Sequence, residues 1–199
     1  MAAPDQPKPG ASARDFQAPK GTRDLYPADL LKRRYVEKLW RDTSVRHGFE
    51  EIDGPTFEYL SLYTAKSGEG IVSEIFGAFS GKDEAELAAI RAGGQAPFAL
   101  RPEFTPTLAR MYAAKAGSLP KPTKWFWQQN CFRAERPQRG RLREFSQWNV
   151  DLIGDGSPDA DAEVVATCVG LLDAAGVKPA DVRVRFNHRR VLGDVLKRL

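Results

Sequence analysis

The sequence predicts an α+β domain built on a mostly antiparallel sheet, and three features predict it. Two runs, TKWFWQQNCFR and EFSQWNVDLIG, are rich in aromatic and β-branched residues and flank an arginine-rich loop, the pattern of a long hairpin. Helical patterns precede and follow this hairpin, over residues 28–46 and in DADAEVVATCVGLLDAAG. At 199 residues the chain can bury one sizeable core and is marginal for two.

Each element has a local reason. MAAPDQPKPGASARDFQAPKG is rich in Pro, Ala, Gly and charge, so residues 1–18 read as a flexible tail. From Ala28 to Arg46, Leu31, Tyr35 and Leu39 form an apolar stripe flanked by Val36 and Trp40, and His47-Gly48 ends the helix. FEEIDGPTFEYL is extended but broken by Gly54-Pro55, which suits an edge or interface strand. A short helix follows around LSLYTAK. The stretch from Ile75 to Glu103 predicts a strand, a polar insertion with a helical turn at EAELAAI, and a second strand, FALR.

Thr105-Pro106 predicts a helix start through TLARMYAAKAG, with Thr as cap and Pro at the first helical position. After the hairpin, Ser157-Pro158 caps a helix whose first-turn acids suit the dipole. DVRVRFN reads as a last strand and HRRVLGDVLKRL as the start of a helix.

Composition narrows the chemistry. A net charge of +4 is too mild to indicate nucleic-acid binding by itself. Two cysteines, Cys131 and Cys168, form no CxxC pair, which argues against a disulfide framework or zinc site and suits a reducing cytosol. Two histidines, His47 and His188, leave little room for metal or Ser-His-Asp chemistry, and no metal-ligand set is predicted. No signal-peptide or membrane-spanning run is present, so a soluble cytoplasmic protein is expected. SGEG at 67–70 lacks the Lys-Ser/Thr of a phosphate loop, and Cys131 reads as core packing.

The hairpin carries the chemistry. FRAERPQRGRLREFSQWNVD packs Arg133, Arg136, Arg139, Arg141 and Arg143 into eleven residues. Strand alternation puts Phe145, Gln147, Asn149 and Asp151 on one face, and Ser146, Trp148, Val150 and Leu152 on a face that reads as core. Arg133 and Glu135 are expected on one face of the opposite strand. A solvated hairpin tip would explain the loop but not the polar residues running back along both strands. A pocket floor would explain both. In LRPEFTPTLAR, Arg101, Glu103 and Thr105 fall where a strand meets a helix start. There Glu103 could bind an ammonium group by a charge-assisted hydrogen bond.

KGTRDLYP, GFEEIDGPTFE, LRPEFTPTLAR and FRAERPQRGRLREFSQWNVD resemble, in order and rough spacing, the N-terminal catalytic region of histidyl-tRNA synthetases. The resemblance runs from about Pro19 to Leu199. GFEEIDGP is similar to motif 1 of the class II synthetases, and FRAERP with REF to motif 2. What this implies is a partial class II catalytic domain over 19–199, with motif 3 and the anticodon-binding domain absent. The implied activity is ATP-dependent activation of L-histidine and transfer to tRNA(His), with the 199 residues alone lacking full aminoacylation.

By the same resemblance, Arg133 contacts the α-phosphate and the reacting carboxylate, Glu135 the adenine amino group, Arg141 the outer phosphates, and Phe145 stacks on adenine. Glu103, Thr105 and Gln147 would hold the substrate ammonium, and Asp151 the imidazole, a position that is Glu in many bacterial members. Mg2+ is expected with ATP, its ligands unassigned. The loop tip would face the tRNA acceptor end, and the strand around Pro55 a homodimer interface. Two other readings compete. One is a histidine-binding paralogue acting as a regulatory subunit in histidine biosynthesis, and the other a non-catalytic tRNA-binding module. Arg133-x-Glu135 with its arginine loop favours the enzyme.

Overall fold

The computed structural model describes residues 16–186 together with 193 and 197. Most of the predicted tail, residues 1–15, and the predicted final helix in HRRVLGDVLKRL lie outside the described residues, apart from 193 and 197. The elements run α1 (Pro27–Arg46), β1 (Glu50–Glu51), β2 (Phe57–Tyr59), α2 (Leu60–Ser67), a 3-10 turn (Glu69–Glu74), β3 (Gly77–Ala78), α3 (Glu84–Arg91) and β4 (Phe98–Leu100). They continue with α4 (Thr105–Lys115), β5 (Thr123–Phe132), β6 (Glu144–Ile153) and α5 (Pro158–Ala174). The predicted hairpin is present at full length, with Cys131 opposite Phe145, Gln129 opposite Gln147 and Trp125 opposite Asp151.

The strands form two three-stranded sheets, β1-β5-β6 and β2-β4-β3, instead of the single sheet expected. All pairings are antiparallel except β1 with β5. Gly54-Pro55 separates β1 from β2, and each of these strands lies at the edge of its own sheet, as the break in the sequence predicted. Close approach explains the glycine. A Cβ on Gly54 would come within 2.7 Å of Thr107 Cγ2 and 2.9 Å of Phe104 Cε2.

Four expectations are corrected. Of the predicted last strand, DVRVRFN (181–187), the described residues 181–186 form no strand, because no strand pairs with them among the described residues. Thr105 is the first helical residue of α4 and not its cap; Phe104 occupies the cap position without a side-chain acceptor. Burial decides this, since the Phe104 ring packs 4.6 Å from Trp127 and anchors the helix start. The α1 stripe does not face the core: Leu31 and Tyr35 are 71% and 59% exposed. A polar face packs inward instead, with Arg33 Nη2 donating to Asn130 Oδ1 (2.6 Å) and Trp148 Nε1 to Ser44 Oγ (2.9 Å). Both faces of the hairpin are therefore covered. The fourth correction is that an apolar cluster lies under the face expected to be a pocket floor, where Trp125, Trp127 and Cys131 pack with Phe104 and Leu108 of the α4 segment.

Arg101 joins the two sheets. It is 3% exposed and donates to the carbonyls of Asn130 (2.8 Å) and Gly54 (3.0 Å), and to Gln129 Oε1 (3.4 Å). Its own backbone accepts from Phe132 N (2.9 Å) and donates to Thr56 O (3.0 Å). Replacing Arg101 by Met keeps the volume but leaves buried carbonyls unpaired. We expect a loss of about 3 kcal/mol or more in urea unfolding, since each orphaned buried acceptor costs about 1–3 kcal/mol. Arg101→Lys should recover little of it, because a lysine cannot fork across several acceptors. Unfolding midpoints within error of the parent chain would contradict this role.

Candidate active site

The end of the hairpin remote from β1 carries most of the predicted ligands. β5 stops at Phe132, so Arg133 and Glu135 lie just past the strand and not on its face as expected. Arg133 is nonetheless held. Its backbone N–H donates to Arg143 O (2.8 Å), its Nε to Pro102 O (3.3 Å), and its guanidinium carbon lies 5.0 Å from the Phe145 ring centroid. That stacking is a cation–π contact. The contact to Pro102 brings the LRPEFTP segment against the arginine hairpin. Two stretches about thirty residues apart in sequence thus meet at one place.

The loop arginines separate by role. Arg143 is structural: its N–H donates to Gly21 O (2.7 Å) and its Nε to Glu135 O (3.0 Å). Gly21 has φ +91°, and a Cβ there would sit 2.8 Å from Arg143 Cγ, so the KGTRD segment is pinned beside the loop. Arg141 forms an ion pair with Glu135. Arg136 and Arg139 are exposed. Nothing in the spacing of the loop distinguished the structural Arg143 from its neighbours; the glycine in KGT was the one available hint.

A cavity of about 840 Å³ opens between α1 and the hairpin loop, and its lining includes Arg133, Glu135, Arg141 and Phe145. All four predicted nucleotide ligands therefore share one space, of a size that holds a small molecule. Glu103, Thr105, Gln147 and Asp151 do not line it. Glu103 is ion-paired with Lys66 at 2.7 Å, a contact between residues far apart in the chain that no motif marks. Gln147 and Asp151 share the hairpin face that carries Phe145. At ~3.4 Å per strand residue, Phe145 and Asp151 are roughly 20 Å apart, so the predicted ligands spread along a line and not around a point.

Asp151 is the unusual group on that floor. Its Oδ2 is buried with no hydrogen-bond partner among the described residues, and burial raises its pKa above the ordinary aspartate value. An unpaired buried carboxylate waits for a donor. Among the described residues, no group of three or more His, Cys, Asp or Glu gathers as a metal site, and no helix is long and apolar enough to cross a membrane.

Residues 21–199 match the family model described as histidyl-tRNA synthetase. The chain belongs to the histidyl-tRNA synthetase family. The histidine–tRNA ligase of Methanosarcina acetivorans is 48% identical over 160 residues, covering 80% of this chain and 36% of that protein. That of Haloarcula marismortui is 41% identical over 182 residues, covering 92% and 39%. The chain thus spans well under half the length of these curated relatives. Among solved structures, an ATP phosphoribosyltransferase regulatory subunit/histidyl-tRNA synthetase from Bacillus halodurans superposes with TM-score 0.68 at 25% identity, covering 85% of this chain and 40% of that one. The apo histidyl-tRNA synthetase of S. aureus gives 0.62 at 28% identity, covering 82% and 35%. The α+β class II fold is that of the synthetase family.

The raised pKa of Asp151 has a measurable consequence. A carboxyl whose folded pKa exceeds its unfolded value binds protons more readily when folded, so its ionisation costs stability as pH rises through the folded pKa. That cost is absent below the ordinary aspartate range of about 3.9. Asp151→Asn should therefore raise Tm at neutral pH, and the gain should vanish on acidification. A Tm difference that does not change with pH would contradict the buried, unpaired assignment.

Proposed function

We propose that this chain is the N-terminal part of the catalytic domain of a histidine–tRNA ligase. The whole enzyme would activate L-histidine with ATP and transfer it to tRNA(His). The observation that carries this reading is the cavity at the hairpin tip, where Arg133, Glu135, Arg141 and Phe145 converge. The relatives at 41–48% identity, themselves named histidine–tRNA ligases, support it.

In this reading Phe145 stacks on adenine, Glu135 accepts from its amino group, and Arg141 leaves Glu135 to meet the outer phosphates. Arg133 faces the α-phosphate and the carboxylate that attacks it. Charge grows on that phosphate as pyrophosphate departs, and a fixed guanidinium suits it. Glu103, released from Lys66, would take the substrate ammonium beside Thr105. Gln147 lies between the two ends of the floor, and Asp151 would accept from the imidazole. A terminal hydroxyl of tRNA then takes the aminoacyl group, its acceptor end approaching the exposed Arg136 and Arg139.

Mg2+ would arrive on the triphosphate. Such an ion takes most of its ligands from phosphate oxygens and water, so it needs no protein-built cage. A cytoplasmic location goes with this role. Two copies would associate through the strand around Pro55: β2 is a sheet edge, with Phe57 and Tyr59 exposed on it. The second reading, a histidine-binding regulatory paralogue, calls for histidine binding without ATP, and the Bacillus halodurans structure is itself named as a regulatory subunit/histidyl-tRNA synthetase.

Calorimetry separates these readings. The ligase reading expects saturable binding of histidine over other amino acids and of ATP, and Arg133→Ala should weaken ATP with the circular-dichroism spectrum unchanged. When the chain is part of a complete catalytic domain, Arg133→Ala should lower ATP–pyrophosphate exchange by about 10²–10³. Near-normal exchange would sink the assignment. Light scattering should show a dimer that Phe57→Asp dissociates, and a parent chain that stays monomeric would remove the Pro55 interface.

A further inference from the structure

The floor contains one contact that neither the motif pattern nor the proposed chemistry uses. Cys131 is fully buried in the cluster with Phe104 and Trp127, yet its Sγ lies 3.3 Å from Gln147 Oε1 and donates to it. The strands set this contact up: Cys131 is opposite Phe145, and Gln147 is the next residue on the same face of β6. Gln147 makes no other side-chain hydrogen bond among the described residues. Its oxygen is therefore occupied from below, and its Nε2 is the end left without a partner.

We propose that Cys131 is a positioning residue that holds the Gln147 carboxamide with its N–H groups turned to the ligand, so that Gln147 recognises a carboxylate oxygen. This rests on the histidine-site reading above and refines it, since the motif resemblance put Gln147 on the ammonium. An amide can rotate end for end, and its two ends have opposite hydrogen-bonding sense. A donor fixed beneath one end selects the orientation.

The surroundings of Cys131 suit that task. Burial pushes its pKa up to about 11, with the charges of Arg101 and Arg133 opposing the shift and that of Glu103 adding to it. The thiol therefore keeps its proton at neutral pH and stays a donor. With Arg133 beside Phe145, a carboxylate over this part of the floor would meet a guanidinium and an amide N–H together. The Glu103 carboxylate would remain for the ammonium. The two ends of an amino acid are then read by groups of opposite character.

The test is calorimetry with histidine and with histidinol, which lacks the carboxylate. Cys131→Val fills the site without a donor, and Cys131→Ser restores one. Cys131→Val should weaken histidine by about 3–10-fold, the worth of one hydrogen bond, and histidinol by less than about twofold. Cys131→Ser should recover most of the loss. In a Gln147→Leu background, Cys131→Val should no longer change histidine affinity. Equal loss for both ligands, no loss for either, or an undiminished effect in the Gln147→Leu background would each overturn the proposal. A parent chain that binds neither ligand would instead overturn the histidine-site reading, and this inference with it.

Discussion

The guanidinium of Arg101, just past the end of β4, is buried between two segments distant from it in sequence: the Gly54-Pro55 break and the Gln129-Asn130 stretch of β5. Each supplies a carbonyl or amide oxygen, so the fork of donors satisfies several buried acceptors at once. An arginine is suited to this because its donors are rigidly arranged and its charge is more weakly hydrated than an ammonium. The two small sheets touch through the same residue, whose backbone bonds Thr56 and Phe132. Pro102 and Glu103 follow immediately, and Arg133 begins one residue past Phe132. The position of both halves of the site thus follows from where Arg101 is held.

The crowding of positive charge in the hairpin loop resolves once each arginine has a neighbour. Arg143 spends its donors on backbone carbonyls, Arg141 pairs with Glu135, and Arg133 lies over Phe145. Arg136 and Arg139 stay in solvent, where repulsion between like charges is screened. In the ligase reading, a bound ligand would replace the Arg141–Glu135 pairing. Glu103 with Lys66 is of the same kind, an ammonium already on the carboxylate expected to receive one. Partly exposed pairs of this sort are worth little, so a ligand can displace them cheaply.

Asp151 differs from all of these. Among the described residues its Oδ2 has no partner, and burial opposes its charge. A group kept at a cost to stability, on a face otherwise filled by Trp125, Trp127 and Cys131, fits a binding role better than a structural one. The polar face of α1 makes the contrast clear. There Arg33, Asn130, Glu144, Ser146 and Ser44 are hydrogen-bonded to neighbours, and all of them but Ser44 line the cavity between α1 and the hairpin.

The sequence by itself determined the elements whose signal is local. The hairpin strands are aromatic and β-branched at period two, Ser157-Pro158 caps α5, Gly54-Pro55 breaks an extended run, and four motifs in order mark the family. Periodicity could not say which side of an element meets another. The apolar stripe of α1 therefore reads as core and is exposed, and the hairpin face carrying Gln147 and Asp151 reads as a polar pocket floor and lies partly over the core. Local signals also failed where burial competed with capping, as Phe104 shows, and where a strand needs a partner, as 182–186 show. Contacts between residues far apart in the chain, Arg101 with Gly54 and Asn130, Lys66 with Glu103, Cys131 with Gln147, were decided by the tertiary structure alone. No spacing within a sequence encodes the distance between two segments until packing has fixed both.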